Sequence, residues 1–234
     1  MIAWQFAEEL PVGRVRRGMR VGRWSADVLC DRPTTGIAPL SGEVLRLAED
    51  LLCLSQGLDA CSVRVAALAP SGRPVATVDG APVPCVVSIS HVRGLAGAVV
   101  SDSACVGIDI VDPADAGRSL DVWFTPDELA LLPDDHGLLR AMLWAAKEAA
   151  YKAARLDTEF RPRMVVIESL SANAFEWRLR DGHAEVDGEG CFATLGRYVV
   201  AIAATPLRAA GGGEPCDDAD PFTATLRFNQ GVPA

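Results

Sequence analysis

A chain of 234 residues, half of them hydrophobic, is long enough for one large domain or two small ones with a sizeable core, which excludes wholesale disorder. Its net charge of −9 excludes general nucleic-acid binding, which needs a basic footprint, but leaves room for a small anionic ligand held by local cations. Seven scattered cysteines with no CxxC pair argue against a disulfide framework or a zinc site and fit a reducing cytoplasm.

The first stretch, MIAWQFAEELPVG, carries acids early and lacks a long apolar core, so no secretory signal is expected. No run of about 18 apolar residues appears, so no membrane span is expected. GRVRRGMRVGR gathers Arg14, Arg16, Arg17, Arg20 and Arg23, which reads as a solvated basic strand or loop, or as a contact for phosphate or an acidic partner. LSGEVLRLAEDLLCLSQGLD has helical spacing, with Ser41 as N-cap and Gly57 as stop. CSVRVAALAP reads as a strand, and SGRPVATVDGAP, rich in Gly and Pro, as a loop. CVVSIS, AGAVVS and ACVGIDIV follow as short β-type runs resembling an antiparallel meander.

FTPDELALL starts a helix with a capping box: Thr125 as N-cap, Pro126 at N1, Glu128 at N3. Trp123 and Phe124 read as core. LLRAMLWAAKEAAYKAARL is the strongest helix in the chain. MVVIESL, AFEWRLRDG and CFATLGRYVVAIAAT return to strands, and the composition after residue 205 reads as a linker or tail of low order. The order, helix then strands twice over, predicts an α+β fold of two similar α/β halves, each a helix packed on a small antiparallel sheet. The expected division is 1–105, 106–207 with the functional site, and a flexible tail at 208–234. A cleft between halves is a common ligand site.

The strongest helix carries two faces. At about 100° per residue, Leu139, Met142, Leu143, Ala146, Ala150 and Ala153 fall on one side, as a core face. The other stripe holds Trp144, Glu148, Tyr151, Lys152 and Arg155. A Glu four residues before a Lys is also the ordinary surface ion pair, worth about 0.2–0.5 kcal/mol. Two aromatics beside it argue instead for a stripe that lines a cleft. Asp109 lies inside the apolar run GIDIV and needs a partner, a hydrogen bond or a metal if buried; pointed outwards it would be an ordinary strand-end acid. Asp112, before Pro113, reads as a turn or cap residue. Asp109 and Glu148 could share a hard cation such as Mg²⁺, with Lys152 holding a phosphate oxygen.

GIDIV (107–111), FTPDE (124–128) and WAAKEAAYK (144–152), preceded by GRP (72–74) and SISH (88–91), resemble in order the motifs of the Sfp-type 4′-phosphopantetheinyl transferases. The resemblance covers roughly residues 38–205. It implies transfer of 4′-phosphopantetheine from coenzyme A to a serine of an acyl or peptidyl carrier protein, releasing adenosine 3′,5′-bisphosphate. It implies Mg²⁺, or Mn²⁺, on Asp109 and Glu148, with Glu148 assisting serine deprotonation directly or through a water. Lys152 would stabilise charge on the leaving phosphate. Arg73, Ser90, His91, Lys147 and Lys152 would hold the coenzyme, and Glu128 is divided between cap and site. It also implies a monomer, while the composition, rich in Ala, Gly, Val and Arg, suggests polyketide or nonribosomal peptide synthesis as the process served, in the cytoplasm that the cysteines fit.

Two departures stand out. The family's third carboxylate is Val111 here, so a two-carboxylate site is expected, and Ser88 replaces the usual Asn. Val111 keeps open a second reading, a relative that binds CoA or carrier protein without turnover. A third is a different Mg²⁺-dependent enzyme acting on a nucleotide diphosphate, although no P-loop is present.

Overall fold

The computed structural model describes residues 9–33, 41–69, 71–132, 137–156, 159–181 and 184–207. The expected tail at 208–234 lies outside them. Among the described residues, twelve strands and three α-helices make an α+β fold. The strands are β1 (Arg16–Val21), β2 (Trp24–Asp31), β3 (Val63–Leu68), β4 (Arg73–Val78), β5 (Ala81–Pro82), β6 (Val86–Val92), β7 (Leu95–Ser101), β8 (Ala104–Val111), β9 (Val165–Leu170), β10 (Ala174–Asp181), β11 (Ala184–Leu195) and β12 (Tyr198–Pro206). The helices are α1 (Ser41–Gln56), α2 (Pro126–Ala130) and α3 (Gly137–Ala154).

The strands form three antiparallel sheets: β1-β2-β7-β6, β8-β12-β11-β10-β9 and the small β3-β4-β5. Period-two alternation gives the larger sheets two apolar faces each. In β8, Val106, Ile108 and Ile110 meet Met19, Val21 and Val28 of the four-stranded sheet. In β12, Val199, Ala201 and Ala203 turn the other way, toward α3. Helix α1 covers the outer face of the four-stranded sheet with Val44, Leu47, Leu51 and Leu52. The result is four layers, α1, sheet, sheet, α3.

Three expectations change. SGRPVATVDGAP is not a loop: Arg73–Val78 is strand β4, paired along its length with β3, because Gly72 and Gly80 sit at its two ends, not within it. The meander breaks after β7. Strand β8 joins the other sheet beside β12, so the chain crosses between layers at residues 102–103. Phe124 is core, at 1% exposure, but Trp123 is 45% exposed.

Helix α3 splits its faces as its periodicity predicts. Leu139, Met142, Leu143, Ala146, Ala150 and Ala153 are buried, while Trp144, Glu148, Tyr151 and Lys152 are part-exposed. Its alanines let it press onto β8. A Cβ on Gly107 would lie 2.0 Å from the Ala149 carbonyl and 2.6 Å from the Ala153 nitrogen, so only glycine fits there. This contact sets Asp109, two residues along the same face of β8, against the charged stripe of α3.

Candidate active site

Asp109 is buried, at 4% exposure, and its charge is met from two elements. Lys152 Nζ of α3 donates to Asp109 Oδ1 at 2.7 Å and to the Ile108 carbonyl at 3.0 Å. Ser90 Oγ of β6 donates to the same Oδ1 at 2.8 Å. Glu148 completes the group. It lies 3.9 Å from Lys152 Nζ, accepts a hydrogen bond from the Trp144 side chain, and when protonated hydrogen-bonds Asp109.

The two carboxylates compete for one cation. Burial first, then the Asp109 charge, push the Glu148 carboxyl up from 4.5 to about 7, while Lys152 and Trp144 pull it down. Once Glu148 ionises, two acids against one lysine leave the cluster with surplus negative charge and clustered oxygen donors. That is the donor chemistry of a hard divalent cation, which takes one or two carboxylates readily. The Glu148 and Lys152 side chains are each 29% exposed, so the cluster reaches solvent.

Trp144 and Tyr151 flank Glu148 on the helix, and Phe160 packs against both, with ring centroids 6.0 Å and 4.9 Å away. Phe160 was not singled out in the sequence. It sits in a short segment with no periodicity, and only the fold returns it to α3.

Arg73, at the start of β4, donates to the Arg155 carbonyl at 3.0 Å, which places it at the end of α3 that carries Lys152. His91 is exposed. Alternation along β6 puts it with Val87 and Ile89 on the α1 face, opposite Ser88 and Ser90. Ser90 binds Asp109 and also accepts the Ile110 N–H at 3.2 Å, so its hydroxyl is engaged within the protein.

Lys147, expected to hold the coenzyme, stands apart from the cluster. Its side chain is 0% exposed and paired at 2.7 Å with Glu128, also 0% exposed. It further donates to the carbonyls of Pro162, at 3.1 Å, and Val165. Burial lowers its pKa, and the Glu128 carboxylate opposes that shift. Neighbouring helix residues point about 100° apart, so Lys147 faces β9 where Glu148 faces β8. Glu128 closes the capping box with Thr125, and its other oxygen accepts the Ile167 N–H at 2.9 Å. Its partners are structural: a cap, a strand amide and a buried lysine.

Val111 shares the α3-facing side of β8 with Asp109 and is 9% exposed within the core under α3. Asp112 caps the turn after β8 through the Ala114 N–H at 3.1 Å and pairs with Arg197 at 2.7 Å. Among the described residues, no helix is long and apolar enough to cross a membrane, and Cys30, Cys53, Cys61, Cys85 and Cys105 are free thiols.

Residues 105–203 match the model of the 4′-phosphopantetheinyl transferase superfamily. No curated protein matches the chain. The matched segment runs from β8 through β12 and contains Asp109, Glu148 and Lys152; Arg73, Ser90 and His91 precede it.

Proposed function

We propose that the protein transfers the 4′-phosphopantetheine group of coenzyme A to a serine of an acyl or peptidyl carrier protein, in a Mg²⁺-dependent reaction of the Sfp type that Mn²⁺ also supports. The observation that carries this reading is the cluster of Asp109, Glu148 and Lys152: two facing carboxylates and a lysine, inside the segment that matches the superfamily.

Asp109 and Glu148 would hold the metal, which when bound neutralises and orients the pyrophosphate. Glu148 faces the part-open side of the cluster and takes the proton from the carrier serine. The serine Oγ then bonds to the phosphorus nearest the pantetheine. The P–O bond to the other phosphate breaks, and adenosine 3′,5′-bisphosphate leaves. Lys152 sits where the new negative charge gathers and stabilises it. Arg73 and the exposed His91 would meet the nucleotide phosphates, whereas Lys147 and Glu128 hold the fold. Two helix-on-sheet halves in one chain suit a monomer, and the reading places the protein in the cytoplasm, serving polyketide or peptide synthases.

The test is the intact mass of a panel of apo carrier domains incubated with the protein, CoA and Mg²⁺. A gain of one phosphopantetheine, lost on adding a chelator, is the expected result.

Val111 favours a second reading, a member that binds CoA or carrier without turnover. A valine packed under α3 supplies no oxygen at that position. On that reading the wild type is inert and Val111→Glu gains transfer.

A further inference from the structure

Strand β8 meets a neighbour on each edge by different means. Along β12 it runs as a continuous antiparallel ladder, with Asp109 opposite Ala201. Toward β6, which belongs to the other sheet, hydroxyls replace the ladder. Ser88 Oγ accepts the Ile108 N–H at 3.2 Å, and Ser90 Oγ accepts the Ile110 N–H at 3.2 Å. Both serines are buried, at 5% and 6% exposure.

A buried hydroxyl that accepts one hydrogen bond still has a proton to place. Ser90 places it on Asp109 Oδ1, the oxygen that Lys152 also reaches, at 2.8 Å and 2.7 Å. Oδ1 is therefore gripped from β6 and from α3 at once. Two donors on one oxygen fix the rotation of the carboxylate and leave Oδ2 as its remaining acceptor. Ser88 makes the same kind of bond to β8, two residues earlier, and is bonded to the Ile108 amide rather than to Asp109.

We infer that Ser90 is a positioning residue: its hydroxyl fixes the Asp109 carboxylate in the orientation that receives a divalent cation, in place of the direct coenzyme contact implied by its motif. The assignment rests on the reading of Asp109 and Glu148 as metal ligands. It makes the SIS segment the link through which the first half of the chain sets metal affinity in the second.

The test is Mn²⁺ binding by the full chain, without CoA or carrier, read from the spin-resonance signal of free Mn²⁺. Removing a group that orients a metal ligand typically costs about 10–100-fold in affinity. Ser90→Ala is expected to weaken Mn²⁺ by about tenfold or more, and Ser90→Thr, which keeps the hydroxyl, to recover most of that loss. Ser88→Ala, which loses an equivalent strand tie, should bind Mn²⁺ like the wild type. Equal weakening by Ser88→Ala and Ser90→Ala would overturn the assignment, since the serines would then act only as strand ties. Unchanged Mn²⁺ affinity in Ser90→Ala with weakened CoA binding would also overturn it. No Mn²⁺ binding by the wild type would overturn the metal reading and this assignment with it. If Ser90→Ala does not fold, Ser90→Cys against Ser90→Thr carries the test: weaker Mn²⁺ in the thiol variant supports the role, and equal affinity overturns it.

Discussion

Helix α3 presents two lysines to two carboxylates, each at 2.7 Å, and the two pairs sit in different surroundings. Lys147 and Glu128 form a closed set. The ammonium has Glu128 and two carbonyls for its donors, and the carboxylate has Lys147 and two backbone amides. Charge is balanced and both side chains are sealed from water. Lys152 forms an open set. It faces two carboxylates rather than one, and it and Glu148 reach solvent. A balanced, saturated pair holds a fold, while a surplus carboxylate at a solvent-reaching edge has capacity left for a cation and a substrate.

The largest expected effect falls on the closed pair. Removing one partner strands a buried charge, so Lys147→Met or Glu128→Gln should lower unfolding free energy by about 3–5 kcal/mol, measured by urea denaturation. The same substitution in the open pair should do the reverse. Glu148→Gln relieves the repulsion from Asp109, so the metal-free protein keeps its stability, while carrier modification falls by about a hundredfold or more. A Glu148→Gln variant that unfolds like Lys147→Met would erase the distinction between the pairs.

The pH dependence sharpens it further. Glu148 in the folded, metal-free protein holds its proton up to about pH 7, against 4.5 for the ordinary group. The unfolded chain binds fewer protons in that window, so stability without metal should fall as pH rises from 4.5 to about 7. Proton and metal compete for the same carboxylate. Mn²⁺ affinity should therefore rise by about tenfold per pH unit up to pH ~7 and level off above it. Glu148→Gln should abolish that slope. The smallest effect concerns Val111. Val111→Glu buries a third acid on the α3 face, so melting temperature should drop in the metal-free protein and recover in part with Mg²⁺.

Much of this was legible in the sequence. The periodicity of α3 separated its core face from the Trp144–Glu148–Lys152 stripe, because a helix repeats its pattern wherever it packs. Asp109 announced itself by lying between two isoleucines. The capping box at Thr125 needed only local spacing. What stayed hidden depended on partners distant in the chain. The burial of Lys147 could not be read until β9 was found to cover it. Ser90 and His91, adjacent in the sequence, part company because a strand sends them to opposite faces. Strand β4 was masked by the Gly and Pro residues in and around it, and β8 by its continuity with β7, since sequence does not say which sheet a strand joins.

The most direct measurement sets the two pairs side by side in carrier modification. Wild type, Glu148→Gln and Glu128→Gln are each given CoA, Mg²⁺ and an apo carrier, and the carrier mass is followed per molecule of folded protein. The account predicts a phosphopantetheine gain with wild type and with folded Glu128→Gln, and none with Glu148→Gln. Transfer by Glu148→Gln at the wild-type rate, or none by the wild type on any carrier, would contradict it.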